Sequence, residues 1–354
     1  MTPVERFAMR ARFGLAQAAR VGWYASQNAA GVRVGREAGR DLPPPPKPVI
    51  EAPAGIPNRA ELLKHVRKLL VRDLANVEAG LYPMPVDEPD GLRGLIERRG
   101  MYLKDIPNIV RRRATRSHQE VDRSGGKRPR YYMQNFHFQT DGWMTEDSAR
   151  LYDTQVETLF LGAAAAMRRQ GLVPIAEMVR ERDQRTLAML DVASGSGSFL
   201  RDVRQAFPRL PIVASDLSEP YVGLARSKVG SRSGSGAVVA AAESLPFATG
   251  GFDIVSTIYL FHELPPKVRR QVAAEMARVV APGGRVIVID SLQTGDTAEL
   301  DGLLELFPQL FHEPYYRSYL TEDIVALFAD AGLELMAGWP AFLSKVQVFQ
   351  KPQR

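Results

Sequence analysis

The sequence holds 354 residues, 45% of them apolar, which is enough to bury one large core and to carry an appended smaller region. It contains no cysteine, which excludes disulfides and thiolate metal sites, and it has no run of about 18 apolar residues suited to a membrane-spanning helix. The formal net charge is +6, and most of it lies toward the front of the chain.

Residues 1–50 carry seven arginines and Lys47 against Glu5, Glu37 and Asp41, a net +5. Val4, Phe7, Ala8, Ala11, Leu15, Ala18 and Ala19 fall on one helical face, with Arg6, Arg10 and Arg20 largely off it. A basic amphipathic helix of this kind suits peripheral contact with an acidic membrane surface or a partner; the plainer reading is a solvated, frayed helix. The stretch lacks the compact apolar run and cleavage site of a secretory signal, so the expectation is a cytoplasmic protein, with membrane association through this helix as an addition. Leu42-Pro-Pro-Pro-Pro-Lys-Pro48 then breaks any helix and predicts an extended tether or a strap across the surface, making residues 1–57 a basic helix and linker.

Residues 58–140 read as a small helical region. Asn58 with Glu61 makes a start like a capping box, and Leu62, Leu63, Val66, Leu69, Leu70 and Leu74 trace an apolar stripe. Two further helices are predicted around 89–100 and 105–113, separated by turns at Pro83–Pro89 and at Gly100. Residues 111–130 hold seven arginines and Lys127 against Glu120 and Asp122, a net +6, and lead into an aromatic run from Tyr131 to Trp143. Basic residues beside aromatics suit a single-stranded nucleic acid, but no nucleic-acid module motif accompanies them. An ordinary basic loop entering a packing segment is the preferred reading. Trp143, Tyr152, Val156, Leu159 and Phe160 continue as an amphipathic helix capped by Thr145 or Ser148.

From residue 186 strands alternate with helices, which predicts a parallel sheet covered on both faces. Strands are expected at 187–192, 211–215, 237–241, 253–259 and 285–290, and helices at 198–206, 219–228, 266–280 and 321–332. Leu333–Ala341 and Lys345–Lys351 are close enough to pair as a hairpin. Asp191-Val-Ala-Ser-Gly-Ser-Gly-Ser-Phe-Leu200 runs from an apolar strand through a glycine turn into a helix. Gly195 and Gly197 sit where the turn is tightest and let a ligand approach the backbone. Asp216, 25 residues after Asp191, ends the next apolar strand and is placed to accept hydrogen bonds from a ribose diol. A dinucleotide fingerprint wants a third glycine where Leu200 stands, which argues against a nicotinamide cofactor.

These residues, followed by Ala242-Glu-Ser-Leu-Pro-Phe247, Gly251-Phe-Asp-Ile-Val-Ser256 and Ala281-Pro-Gly-Gly284, resemble the ordered motifs of class I S-adenosylmethionine-dependent methyltransferases. The resemblance is to the small-molecule branch typified by the ubiquinone/menaquinone C-methyltransferases, and it covers about 145–350. It implies an α/β domain at 141–354: a Rossmann-like, seven-stranded, mostly parallel sheet with helices on both faces and a C-terminal β-hairpin. It also implies S-adenosyl-L-methionine as cofactor, S-adenosyl-L-homocysteine as product, and no metal. Cofactor contacts are carried onto Asp191, Ala193, Ser194, Gly195, Gly197, Asp216, Leu217, Ala242, Glu243 and Tyr259. Two departures stand out: Ala193 replaces the first glycine, and Ala241 replaces the acid that commonly bonds the adenine amino group. Adenine recognition would then shift to Glu243 or to the backbone of Ala242.

Methyl transfer from a sulfonium needs alignment and exclusion of water, and a base only if the acceptor must lose a proton. His262 and Glu263 follow the fourth strand, on the ligand side of such a sheet. An unperturbed histidine suits a base near neutrality, though His262 reads equally well as a helix-capping or packing residue. By the same resemblance, Ser291–Leu320 roofs the acceptor, which gives His312, Glu313 and Tyr316 as alternative proton acceptors and Phe311, Tyr315 and Tyr319 as its walls; Trp143 and Tyr152 are candidates for a lid. The expected function is methylation of oxygen or carbon on a small, hydrophobic or aromatic metabolite. An RNA or protein methyltransferase using residues 111–130, and a non-catalytic S-adenosylmethionine-binding protein, are the alternatives; the oligomeric state is left open.

Overall fold

The computed structural model describes all residues except 1, 45, 88–89, 118–127 and 354. Pro48–Asn58 and Arg168–Arg354 form one unit, and Met1–Lys47 with Arg59–Met167 form another.

The larger unit is built on seven strands: β1 (Met189–Val192), β2 (Ile212–Asp216), β3 (Gly236–Val239), β4 (Phe252–Ile258), β5 (Val280–Ser291), β6 (Glu334–Ala341) and β7 (Ser344–Gln350). Their order is β3-β2-β1-β4-β5-β7-β6. The first five run parallel and β7 is antiparallel to β5, closing with β6 as the expected hairpin. All four residues of β1 are buried, as a central strand covered on both faces requires. Pro282-Gly-Gly284, expected as a turn before the fifth strand, lies inside β5 as an irregularity: Phe252 pairs with Val280, and regular pairing resumes at Ile254 and Arg285.

Twelve α-helices occur among the described residues. The smaller unit holds α1 (Pro3–Ala38), α2 (Arg59–Glu78), α3 (Gly91–Thr115) and α4 (Glu146–Leu159); α5 (Ala164–Arg169) crosses the division. The larger unit holds α6 (Leu172–Glu181), α7 (Ser198–Ala206), α8 (Glu219–Val229), α9 (Pro266–Val279), α10 (Asp301–Leu310), α11 (Tyr316–Tyr319) and α12 (Ile324–Asp330).

α3 corrects the expectation of two helices, since it runs through both Gly100 and Pro107. Packing outweighs the weak local preference. A Cβ on Gly31 of α1 would stand 2.9 Å from the Tyr102 hydroxyl, and Gly35 lies against Ile106 and Val110, so α1 approaches α3 closely along this stretch. Asp105 accepts a hydrogen bond from Thr140, and Arg112 donates to the Phe138 carbonyl and the Thr140 hydroxyl. Arg112 is thus a buried structural cation, and of the basic run at 111–130, residues 118–127 lie outside the described residues. The aromatics that follow pack as preferred above: Phe136 and Phe138 are buried, and Trp143 stacks on Phe136 at 6.0 Å. Thr145, not Ser148, caps α4, accepting from the Ser148 N–H at 3.2 Å.

The units divide the chain elsewhere than at the expected boundary of 140/141. Residues 141–167 join the helical unit, while 48–58 leave the expected linker for the sheet unit. There the segment is a strap on α10. Val49 exchanges both backbone hydrogen bonds with the Gln309 amide, and Glu305 accepts from the N–H groups of Glu51 and Ala52. Gly302 is required at this crossing, because a Cβ there would lie 1.9 Å from the Gly55 carbonyl oxygen. Among the described residues no helix is long and apolar enough to cross a membrane.

Candidate cofactor and acceptor site

The carboxyl ends of β1 and β2 bring the expected cofactor residues together. Asp191, 1% exposed, accepts from the Ser256 hydroxyl of β4 at 2.5 Å. Burial pushes its carboxyl up to about 7; hydrogen bonds from Ser256 and Ser194 oppose that rise, and the charge of Asp216 adds to it. Asp216 is raised as well, chiefly by burial, while the N–H groups around it pull the other way. Two carboxyls disfavoured as anions make a site that gains from a bound cation.

The loop between β1 and α7 is shaped by left-handed backbone at Ala193, Gly195 and Gly197, with φ of 56°, 52° and 76°. Gly197 admits no side chain, since a Cβ would meet the Ala225 Cα at 2.8 Å, whereas the space above Gly195 holds only the Tyr221 ring at 3.9 Å. Asp216 secures the loop by accepting from the Gly195 N–H and, through its other oxygen, from the Ser218 N–H, both at 2.8 Å. Its carboxylate therefore has a structural task in addition to the ribose contact expected of it. Ser194 donates its hydroxyl to the Asp191 carbonyl at 2.9 Å. Leu217 follows in the half-buried turn, and the Ala240 N–H donates to the Asp216 carbonyl, which brings the half-buried Ala242 and Glu243 toward the same edge.

Ala193 is the one alanine in this loop with positive φ, a conformation costing an alanine roughly 1–2 kcal/mol. Ala193→Gly is expected to stabilise the fold by roughly 0.5–1 kcal/mol once the larger chain entropy of glycine is subtracted, as measured by urea unfolding.

Several of the residues expected on the acceptor side gather around His262, 7% exposed in the turn after β4. Its Nδ1 lies 2.5 Å from Asp290 Oδ1, and its Nε2 is 3.6 Å from Glu263 Oε1. Burial alone would lower this histidine, but the charge and hydrogen bond of Asp290, helped by Glu263 and Glu313, win and raise it to about 9. The expected base near neutrality is therefore an imidazolium. The rings of Tyr316 and Tyr319 meet it edge-on at 5.8 and 6.1 Å, and Phe307 bridges Tyr316 to Phe311. Burial raises both phenols well above their ordinary value, so neither is a ready base. Tyr316 hydrogen-bonds the Ser291 hydroxyl, and Tyr319 donates to the Ser291 carbonyl. Tyr259, with φ of 58°, is tied through its hydroxyl to Ser344 at 3.0 Å. His312 lies half-buried two residues after α10, and Tyr315 is half-buried before α11. Trp143 and Tyr152 lie in the other unit, where their rings meet edge-on at 5.5 Å.

Asp290 and Arg269 were not foreseen. Asp290 also accepts from the Phe261 N–H at 2.7 Å, fixing the turn that carries His262. The signal was present, because Asp290 ends an apolar strand as Asp191 does. Arg269 is fully buried and donates to the carbonyls of Phe261 and Tyr315, to Glu322 and to Ser318, so it joins the His262 turn to the aromatic roof. From sequence it was one of several arginines on an amphipathic helix.

The sheet order and the glycine loop beside two acids are those expected above from the resemblance to class I S-adenosylmethionine-dependent methyltransferases. Residues 189–284 match the family described as "Methyltransferase domain". The chain is 31% identical over 171 residues to a demethylmenaquinone methyltransferase of Beutenbergia cavernae, covering 48% of this chain and 65% of that protein. It is 35% identical over 106 residues to the ubiquinone/menaquinone biosynthesis C-methyltransferase of Geobacter sulfurreducens, covering 29% and 41% of the two chains. With a demethylmenaquinone methyltransferase of Thermotoga maritima it shares 26% identity over 244 residues, 64% of this chain and 97% of that one. The first two alignments thus take in less than two thirds of those relatives' lengths.

The residues present fit the cofactor. The backbone at Gly195 is open, with only the Tyr221 ring 3.9 Å from a Cβ there, which leaves room for a nucleoside to approach, and the buried Asp191 suits an ammonium.

Proposed function

We propose that this chain transfers a methyl group from S-adenosylmethionine to carbon or oxygen of a small aromatic acceptor bearing an acidic hydroxyl, of the quinol type. S-adenosylmethionine, when bound, supplies a methyl group on a sulfonium for in-line displacement. Asp191 holds the ammonium and Asp216 the ribose hydroxyls, while Gly195 and Gly197 give the backbone room. On the other side of the cleft the imidazolium of His262, held by Asp290, stabilises negative charge on the acceptor oxygen. Glu263, the carboxylate beside Nε2, receives the proton that the acceptor hydroxyl gives up; after attack at carbon, the ring C–H proton passes to that oxygen and restores the aromatic ring. The aromatic wall of Phe307, Phe311, Tyr316 and Tyr319 receives a flat apolar ring and keeps water from the reacting atoms.

The observation that carries this reading is the charged His262–Asp290 pair facing an aromatic roof, next to a loop shaped for a nucleoside. It is tested by tritiated methyl transfer from S-adenosylmethionine to a short-chain naphthoquinol. Incorporation into the quinol that stops on replacing His262 is expected. Calorimetric binding of S-adenosylmethionine with no incorporation into any quinol or phenol would make the chain a binding protein and overturn the reading.

A further inference from the structure

α1 presents two faces of opposite character. Phe13, Gln17, Arg20, Tyr24, Gln27 and Gly31 are buried against the rest of the helical unit, with Arg20 paired to Glu157 at 2.9 Å and Gln27 donating to Thr158. With about 100° between successive residues, Val4, Phe7, Ala8, Ala11, Leu15 and Ala18 point the opposite way. Val4, Phe7 and Leu15 are 77%, 75% and 74% exposed. A large apolar side chain left in water three times along one stripe marks a surface that meets something apolar. Further along, the same side of the helix carries Arg33 and Arg36, and Arg12 flanks its apolar stretch, all three exposed. Glu37 pairs with Arg33 in an exposed i,i+4 contact, which is weak and readily exchanged.

Charge selects the partner. The unit containing α1 has 26 lysines and arginines against 18 acids, a net +8, while the other unit has 20 against 22, a net −2. A second copy of α1 would bring arginine onto arginine, and the apolar stripe is narrow beside the roughly 800 Å² per partner of an ordinary stable interface. An anionic bilayer answers both features at once, taking the apolar side chains into the headgroup boundary and the guanidinium groups onto lipid phosphates.

We propose that the Val4–Phe7–Leu15 face of α1 docks the protein on an anionic lipid surface, with Arg12, Arg33 and Arg36 on the headgroups. This holds whether or not the chain methylates a quinol, because it rests on α1 and the charge of its unit. The test is co-sedimentation of the full chain with phosphatidylcholine vesicles, with and without phosphatidylglycerol, at low and high salt. Binding to the anionic vesicles only, weakened by salt, is expected. Phe7→Ser with Leu15→Ser is expected to weaken it at least about tenfold, with unchanged circular dichroism, since both side chains are exposed. Arg12→Ser with Arg36→Ser is expected to remove the preference for phosphatidylglycerol. No pelleting, or equal pelleting of the Phe7/Leu15 variant, would overturn the proposal. So would a concentration-dependent dimer that this variant abolishes without any vesicle binding, which would assign the face to a second copy.

Discussion

Asp216→Ala is expected to weaken S-adenosylmethionine binding at least about 100-fold in calorimetric titration. The carboxylate accepts from the Gly195 and Ser218 N–H groups at 2.8 Å, and a hydrogen bond to a charged group contributes roughly 1.5–3 kcal/mol. Its removal takes away the proposed ribose acceptor, leaves those two donors without their carboxylate and releases the glycine loop. Asp216→Asn keeps one acceptor oxygen and should fall between, which separates loss of the loop from loss of charge. Equal affinity of wild type and Asp216→Ala would exclude this cleft as the cofactor site.

Asp191→Asn should give the opposite sign in two measurements on one variant. Its carboxyl is raised to about 7, above its unfolded value of 3.8, so its protonation contributes stability that is fully present below the unfolded value and lost as pH rises through about 7. Above pH 7 the ligand-free protein therefore carries a buried charge, and the neutral amide removes that penalty. Asp191→Asn is thus expected to raise the ligand-free melting temperature in alkaline buffer while it abolishes cofactor binding. In the wild type, affinity for the ammonium of the cofactor should increase as pH rises through about 7.

The sheet was legible because its evidence is local. Apolar strands ending in Asp191 and Asp216, and glycines where the backbone must turn left-handed, announce themselves within a few residues. The helical unit was less legible because tertiary contacts decide it. α3 runs through Gly100 and Pro107 since Gly31 and Gly35 let α1 pack along it, a fact written some 70 residues away. The apolar stripe of α1 was read correctly as one face, yet the face that packs inward carries Gln17, Arg20 and Gln27. Amphipathic periodicity finds the greasy face; it does not know about Glu157 and Thr158, which give the polar one its partners. His262 was expected just after β4 and lies there, but its ionisation could not be read, because Asp290 reaches it from another strand.

That ionisation sets the pH dependence expected of catalysis. At neutral pH His262 is an imidazolium, so wild-type kcat/KM should hold near neutrality and fall as pH climbs through about 9. Asp290→Asn removes the main influence raising the histidine and leaves burial, which lowers it, opposed only by Glu263 and Glu313. The falling limb should move down toward the ordinary value of 6.5, costing roughly tenfold or more in activity at pH 8 relative to wild type. A purely structural role for Asp290, through its bond to the Phe261 N–H, would lower activity by the same factor at every pH and leave the limb in place. Stability follows the same group with the same sign. A histidine raised on folding contributes stability that is complete below 6.5 and lost as pH rises through about 9. The wild-type melting temperature should therefore fall across that window, and that of Asp290→Asn should not. Activity that rises through pH 9 in the wild type would make the free imidazole the working form and replace charge stabilisation by His262 with proton abstraction.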